Sequence, residues 1–482
     1  MPSFVVGQPL PRHDAYAAQV QARSFWCRSY WADFAFASGV DAAGVAILPQ
    51  HKRETDERYN VRRSMAKARK YARAIVDRYN DHANRIPAKR QDAADGTPYA
   101  DLLRDATGAG MSLATFMRRA MRWAQVERCS YVLADANVEG VYLSAAQEAA
   151  AGKRGVLRLV RADQVIWWAD WQGQVDEALI TFADRGGAFF AWYVTASTVQ
   201  RIDYVIENSA EKITAIGPVL AHSYGGCPLV RYEPETNDGM EAANDSQAAP
   251  LAESMKRILN LDSWLNEELA NGTFTTVVFL GVDKDQVQDV VVGAGKALCI
   301  PGTGDRAPSI DTLGSDPAQA DSLRTERAEE IAELYRVAGL SPGNPTEAAA
   351  PESGVAKAFA FNEVEARLSA LADAAEATEN LAIKRLAAGF GWEYPGDANW
   401  PDSFATPDLA AELEVAIRTS TSPLPQVLKD EQTRKYAAAA FRLTPENQKR
   451  LDDEIAQSAV DTAARAADPF TNPQAPGRMA GT

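Results

Sequence analysis

The segment Gly339-Leu340-Ser341-Pro342-Gly343-Asn344-Pro345 decides how the middle of this chain folds. Proline cannot donate a helical hydrogen bond and glycine weakens a helix, so no helix runs through two residues of each kind. On both sides, apolar residues recur at helical spacing, over 317–338 before the break and 353–388 after it. The second stretch, about 36 residues, far exceeds the roughly 10–14 residues of an ordinary helix. The pattern therefore predicts two long helices separated by an irregular loop.

Outward from this centre, composition limits the kinds of protein that the chain can be. Its 482 residues exceed what one hydrophobic core organises, so two to four packed regions are expected. The net charge of -15 argues against binding nucleic acid by neutralising phosphates, which requires clustered excess Lys and Arg. No stretch has the length of uncharged apolar sequence that spans a bilayer, and the start lacks a signal-peptide pattern. These features predict a cytosolic product with no membrane contact.

Before the centre, residues Arg53 to Tyr79 show helical apolar spacing and predict one amphipathic helix. Basic side chains outnumber acidic ones on its other face, and this face could meet an acidic partner. The alternative is a solvated or intersubunit face, since charge runs on helices are commonly just exposed. The candidate contact residues are Arg62, Arg63, Lys67, Lys70 and Arg73.

The following segment combines a helix with strands. A helix capped by Ser112 leads into a strand at Tyr131–Ala134. Between Gly155 and Tyr232 the apolar pattern alternates and predicts an antiparallel sheet of short strands at 157–160, 165–168, 178–182, 189–194 and 199–206. Helices before and after this sheet make the fold class α+β and helix-rich.

Beyond Pro234 the pattern returns to helices. A helix over 246–271 ends at Asn271-Gly272, and a small insert with strands at 275–280 and 297–300 precedes the helix that begins at Pro317. Ala-rich helices are predicted near the C-terminus, before a disordered tail at 468–482. They span 409–417, 424–441 and 445–467.

No catalytic, metal or cofactor site emerges from the sequence. The four histidines lie outside known metal-binding motifs, and Cys27, Cys129, Cys227 and Cys299 are far apart, as expected of buried free thiols. A nucleophile with a base, or a converging pair of carboxylates, is not evident. The chain is therefore predicted not to be an enzyme. The alternative is an α+β hydrolase or lyase with an unrecognised carboxylate site.

Four phrases and their order carry a resemblance to a known family. They are Met111-Ser112-Leu113-Ala114-Thr115-Phe116 before the strand Tyr131–Ala134, then His222-Ser223-Tyr224-Gly225-Gly226-Cys227-Pro228, then Glu330–Pro342, and finally Glu352-Ser353-Gly354 at the start of the long helix. In this order the chain resembles the portal proteins of tailed double-stranded DNA bacteriophages. Another phage head protein is the alternative, although a capsid fold would need extended β arms that are not predicted.

The resemblance implies a portal-like architecture with wing, stem, clip and crown around a central channel. The implied divisions are a wing at 1–240, a first stem helix at 241–271, a clip at 272–316, a second stem helix at 317–339, a channel loop at 340–353, a long wing helix with its following loop at 354–408, and crown helices at 409–467.

The family also implies partners and a location. Copies of the chain, twelve by resemblance, would form a ring at one capsid vertex, in the virion and, during assembly, in the host cytoplasm. The major capsid protein, the terminase large subunit and a head-completion adaptor or tail protein would bind the ring, and double-stranded DNA would pass through non-specifically. Twelve copies would carry roughly -180 charges, which keeps DNA from adhering.

Two sets of residues receive roles from the resemblance. The channel loop would present Gly339, Ser341, Pro342, Gly343, Asn344, Pro345, Thr346 and Glu347. The clip would present a docking surface of Asp283, Lys284, Asp285, Gly302, Asp305 and Arg306. A loop that merely turns a corner between two helices is the alternative for the first set.

Overall fold

The structure, a computed structural model, divides into two compact units, Met1–Phe404 and Ala405–Thr482. The residues that it describes are 2–32, 34–91, 93–137, 152–183, 188–207, 210–234, 246–273, 276–281, 298–300, 309–313, 317–340, 354–404, 414–415, 417–419, 425–440, 447, 449–455 and 457.

Helices and strands both contribute to the first unit, so the predicted α+β class is confirmed. Its helices are α1 (Tyr16–Trp31), α2 (Phe34–Ala37), α3 (Asp56–Met65), α4 (Tyr71–Ala83), α5 (Pro98–Arg104), α6 (Leu113–Glu127), α7 (Ala248–Thr273), α8 (Pro317–Val337) and α9 (Gly354–Phe390). The second unit contains α10 (Gln426–Ala440), where a helix was predicted.

The strands among the described residues form three sheets. They are β1 (Ser130–Ala136), β2 (Gly155–Arg161), β3 (Val165–Trp171), β4 (Gln174–Ala183), β5 (Phe189–Val194), β6 (Thr198–Glu207), β7 (Ala210–Ala221), β8 (Leu229–Tyr232), β9 (Thr276–Leu280), β10 (Leu298–Ile300) and β11 (Ser309–Leu313). One sheet has the order β2-β1-β8, the second runs β3 to β7 in sequence, and the third has the order β10-β9-β11. The first two sheets are antiparallel throughout.

Among the described residues, two hydrophobic cores hold the first unit together. The larger core joins α1, α4, α6, α7 and α9, and the smaller one lies between the N-terminal segment and the five-stranded sheet. The 37-residue helix α9 lies against the larger core through Leu368, Leu371, Ala375 and Leu386, all nearly inaccessible. Tyr232 on β8 also donates to the carbonyl of Leu371 at 2.8 Å. The long helix thus links the helical layer to the first sheet.

The single helix predicted for Arg53–Tyr79 is wrong, because the chain turns between α3 and α4. Thr55 caps α3, and the helix ends at Ala66, whose backbone is extended and whose side chain is 3% exposed. Packing of Ala66 into the core redirects the chain, which a helical repeat in the sequence does not reveal. The predicted apolar stripe itself is correct for α4, where Ile75, Val76 and Tyr79 are buried.

Two strands escape prediction. β7 contains Gly217-Pro218, residues that usually interrupt a strand, yet Pro is tolerated on the edge strand of a sheet. A register shift in the β6–β7 pairing lies close by. In the small sheet, β9 and β10 occupy the predicted positions, and β11 is the strand that the pattern missed.

Candidate assembly surfaces

Helices α7 and α8 form an antiparallel pair. Arg257 of α7 lies 3.1 Å from Glu330, whereas Asp262, further along α7, pairs with Arg327, which is earlier on α8. Residue numbers that rise along one helix while falling along the other define the antiparallel arrangement. At 1.5 Å per residue, α7 is ~39 Å long and α8 ~32 Å. The pair is an extended element joined at one end by the small sheet.

Burial changes along this pair. Met255, Ile258 and Leu259, in the first half of α7, are almost fully buried in the larger core. Further along the same helix, Trp264 is 45% exposed and Leu269 is 41% exposed. Large apolar side chains normally lose most of their accessible surface, so Trp264 and Leu269 are less covered within the single chain than the apolar residues in the first half of α7. The pair therefore leaves the core as it approaches the small sheet.

The small sheet carries exposed apolar residues as well. Ile310 on β11 is 70% exposed and Ile300 on β10 is 45% exposed. The residues assigned to clip docking, Asp283, Lys284, Asp285, Gly302, Asp305 and Arg306, lie outside the described residues. Their docking role stays a prediction.

The other end of α8 is anchored and sharply terminated. Leu334 and Ala338 are buried, and the hydroxyl of Tyr79 donates to the Ala338 carbonyl. Gly339 then adopts a left-handed backbone with φ of 65°, where its N–H donates to Arg336 and the N–H of Leu340 donates to Tyr335, both at 2.9 Å. This Gly-terminated C-cap requires a residue without Cβ strain.

Of the predicted channel-loop residues, only Gly339 is described, and it ends the helix as expected. Ser341, Pro342, Gly343, Asn344, Pro345, Thr346 and Glu347 lie outside the described residues. A loop at the channel therefore stays a prediction.

Arg62, one of the residues predicted to form the basic face, is buried. Arg62 is 3% exposed and makes two bonds to Glu54, at 2.8 and 2.7 Å, with further bonds to the carbonyl of Pro49 and the hydroxyl of Ser263. This correction follows from tertiary packing, because α7 and the segment before α3 enclose the guanidinium. Hydrogen bonding to Arg62 lowers the pKa of Glu54 below its usual value. Arg62 is a structural ion-pair residue.

The other four members have different surroundings. Lys67 and Lys70 are exposed, and Arg63 lies with its guanidinium 5.7 Å from the centre of the Tyr59 ring. Arg73 lies 3.2 Å from Asp77 and stacks over Trp31 at 5.1 Å. The structure thus places a basic surface around the turn between α3 and α4.

Buried charged side chains in the first unit serve packing. Glu379 on α9 is inaccessible and accepts two bonds from Arg90, at 2.6 and 2.9 Å, and one from the indole of Trp400 at 3.1 Å. These bonds engage both carboxylate oxygens of Glu379, so its partners in the core hold it in place. Glu127 is similarly enclosed by Arg161 and the Ala162 N–H.

A cleft of about 590 Å³ between the first two sheets contains several polar and aromatic groups. Its lining includes Asp135, Trp192, Arg201 and His222. Burial lowers the pKa of His222, and its Nε2 lies 3.1 Å from the carbonyl of Thr195. The histidine lies in a half-buried position. The described lining includes no cysteine and no paired nucleophile and base.

The cysteines differ in burial. Cys129 and Cys227 are buried, as predicted, whereas Cys27 is half-buried. Burial raises the pKa of Cys227 to about 11, which keeps it as an unreactive thiol. The side-chain environment of Cys299 lies outside the part of the chain that is described.

Across the described ranges, His, Cys, Asp and Glu do not gather in any group of three that could hold a metal ion. Over the same ranges, none of the helices combines the length and apolarity needed to cross a bilayer.

The fold and these surfaces define an α+β chain with an extended, partly uncovered helix pair. No protein-family model matches it, and no curated protein does. Solved structures from gene transfer agent particles are similar to it at low identity. The neck of a native particle computed with C12 symmetry gives a TM-score of 0.41 at 13% identity, covering 89% of this chain and 95% of that chain.

Two other structures are similar. The virion of the native particle gives a TM-score of 0.40 at 13% identity, covering 87% of this chain and 93% of that chain. The neck of an empty particle computed with C6 symmetry gives 0.39 at 16% identity, covering 73% and 86%. Because these TM-scores lie below 0.5, we base the functional proposal on the residues of this chain.

Proposed function

We propose that this chain is a phage-type portal protein, a subunit of a ring at one capsid vertex. The ring would conduct the genome during packaging and ejection, and it would dock the terminase large subunit and tail connector proteins. The observation that carries the proposal is the α7–α8 pair, which leaves the core, bears the small sheet at one end and stops at Gly339 before the 37-residue helix α9.

Exposed apolar surface on the helix pair supports assembly. Trp264 and Leu269 on α7, and Ile310 at the small sheet, are each more than a third exposed in the single chain. Exposed large apolar residues on an extended element favour burial against another chain. In a ring, the helix pairs of neighbouring copies would stand side by side and supply that cover.

Charge supports a conduit for DNA. The exposed carboxylates of α8 include Asp321, Glu326 and Glu329, of which Asp321 pairs with Arg324 and Glu326 with Arg257. The whole chain is acidic at -15. Acidic surfaces repel phosphates, so DNA can pass without being held. In this proposal the loop after Gly339 lines the channel, and residues 272–316 dock the packaging enzyme and the head-completion adaptor.

The remaining partners follow from the same proposal. The ring would contact the major capsid protein in the virion and assemble in the host cytoplasm, without a membrane or a cofactor. Its role would be structural and not enzymatic.

Negative-stain microscopy of the purified protein tests the proposal. We expect rings of about twelve copies with a central hole wide enough for duplex DNA. A protein that remains a monomer or dimer at micromolar concentration would contradict the proposed function.

A further inference from the structure

We propose that the basic turn between α3 and α4 docks on an acidic stripe of α7 in the neighbouring copy of this chain. The inference rests on the proposed ring and names the surface through which its subunits recognise each other. Two surfaces, one basic and one acidic, define it, and they lie on different sides of the same helix layer.

The basic surface is the cluster Lys67, Arg69, Lys70 and Arg73. Lys67 and Lys70 are exposed, and among the described residues neither has an ion-pair partner. Arg69 is 61% exposed and lies 3.5 Å from Asp262, which already pairs with Arg327. Arg73 pairs with Asp77 at 3.2 Å, so the unbalanced positive charge of the cluster comes from Lys67 and Lys70, in a chain of net charge -15. A positive surface attracts an acidic face of another protein chain more strongly than a surface of mixed charge does.

The acidic stripe runs along a side of α7 on which Glu253, Arg257 and Trp264 are exposed and Glu268 is half-buried. Glu253, Arg257, Trp264 and Glu268 recur at spacings of four, seven and four residues, which places them on one side of a helix. The Arg257 guanidinium is already paired within the chain, at 3.1 Å from Glu330 and 3.5 Å from Glu326. Within the described residues, Glu253 and Glu268 have no ion-pair partner. The unbalanced charge of the stripe is therefore negative.

An exposed aromatic residue lies in this stripe. Trp264 is 45% exposed, between Arg257 and Glu268. Tryptophan is enriched among the residues that dominate protein interfaces, and its ring face attracts Lys and Arg. The carboxylates of Glu253 and Glu268 can therefore form ion pairs with the basic cluster, and the exposed Trp264 ring can contact its lysine and arginine side chains.

The relative orientation suits a head-to-tail contact. The buried residues of α7, including Met255 and Ile258, face the core that α4 shares, and the basic cluster adjoins the start of α4. Along the α7 helix, Glu253 and Trp264 project away from that buried side. When two complementary surfaces lie on different sides of one chain, the first surface of one copy binds the second surface of the next copy. Such head-to-tail contacts form a closed ring if the rotation between neighbouring copies adds up to a full turn.

Charge reversal tests the pairing. We expect Lys67→Glu/Lys70→Glu, and separately Glu253→Lys/Glu268→Lys, to raise the concentration for half-maximal ring assembly at least ~10-fold, measured by light scattering after size-exclusion chromatography. Combining the four substitutions should restore assembly, because each reversed surface then meets its reversed partner. Trp264→Ser should weaken assembly without changing any charge.

Matched controls separate docking from overall charge. Lys89→Glu/Lys212→Glu changes the net charge equally at exposed sites elsewhere and should assemble normally. Adding Glu207→Lys/Glu393→Lys to the Lys67/Lys70 variant restores net charge but should not restore rings. Thermal unfolding of each variant confirms that it folds, and Lys67→Gln/Lys70→Gln provides a milder second variant.

Three results would overturn the inference. Normal assembly of Lys67→Glu/Lys70→Glu removes the basic turn from the interface while the portal proposal stands. Restoration by Glu207→Lys/Glu393→Lys would show that net charge, and not docking, controls assembly. If the combined reversal fails to assemble while the Lys89/Lys212 control succeeds, the two surfaces do not pair. A wild-type protein that forms no ring would instead refute the proposed function itself.

Discussion

The hydroxyl of Tyr79 on α4 donates a hydrogen bond to the backbone carbonyl of Ala338, the residue just before the break at Gly339. Both residues are at most 5% exposed, so this bond lies in the core. It fixes the end of α8 to the helix that shares its hydrophobic cluster. The starting point of the following loop is therefore set by packing in the body.

Removing this hydroxyl should destabilise the first unit. Tyr79→Phe leaves a buried carbonyl without its donor, which costs about 1–3 kcal/mol. Urea unfolding followed by circular dichroism measures the loss. Tyr71→Phe, on the same helix, is the control, because among the described residues its hydroxyl makes no hydrogen bond. Equal stability of the two variants would contradict the anchoring role of Tyr79.

The buried pair of Arg90 and Glu379 predicts a strongly asymmetric mutational response. Glu379→Ala leaves a guanidinium that is 13% exposed without its carboxylate, and we expect a loss of about 3–5 kcal/mol. Replacing both residues, as Arg90→Met/Glu379→Leu, should recover most of that loss, because no buried charge remains unpaired. Thermal and denaturant unfolding of the single and double variants provide the comparison. A double variant less stable than the single one would refute this account.

The enclosed pair of Arg62 and Glu54 predicts a pH-dependent contribution to stability. Since hydrogen bonding to Arg62 lowers the pKa of Glu54 in the folded state, the pair stabilises the fold above the ordinary glutamate pKa of ~4.3. That stabilisation is lost as pH falls through the lowered folded-state pKa. The difference in unfolding free energy between wild type and Glu54→Gln should therefore be largest near neutral pH and shrink on acidification.

A control for this titration is Asp95→Asn, whose carboxylate pairs with Arg104 but is 86% exposed. It should change stability little at any pH, because exposed ion pairs contribute about 0–1 kcal/mol. A Glu54→Gln difference that stays constant between neutral and acidic pH would show that the pair does not titrate as expected.

The left-handed backbone at Gly339 predicts a residue-specific cost. Gly339→Ala introduces a Cβ at φ of 65° and should cost about 1 kcal/mol, whereas Gly339→Asn should cost less, because asparagine tolerates this conformation better. Differential scanning calorimetry of wild type and the two variants measures which substitution lowers the stability more. Alanine as stable as glycine would mean that α8 does not end in this cap.

Deletion of residues 343–350 tests the loop that follows this cap. We expect rings to form as in wild type, with genome packaging or retention impaired, because the proposal gives this loop a channel role and no packing role. Microscopy of the rings and a DNA-packaging assay provide the two measurements. Loss of the rings themselves would show that the segment is a packing element.

The sequence alone determined those helix boundaries that depend on capping residues, proline and glycine close to the helix end. Pro317 begins α8, Gly339 ends it, Ser112 caps α6, and a sustained helical repeat predicts the long helix α9. These features involve residues within one or two turns of each other. Backbone sterics and side-chain caps act at that range, so the sequence alone reveals them.

Only the tertiary structure decided features that depend on distant partners. Ala66 ends α3 because it packs into the core, and Arg62 leaves the basic face because Glu54 and Ser263 enclose it. The strand β7 forms despite Gly217-Pro218, because β6 pairs with it at a sheet edge. Burial and strand pairing join residues far apart in the chain, and a local pattern carries no information about which distant segment will supply the contact.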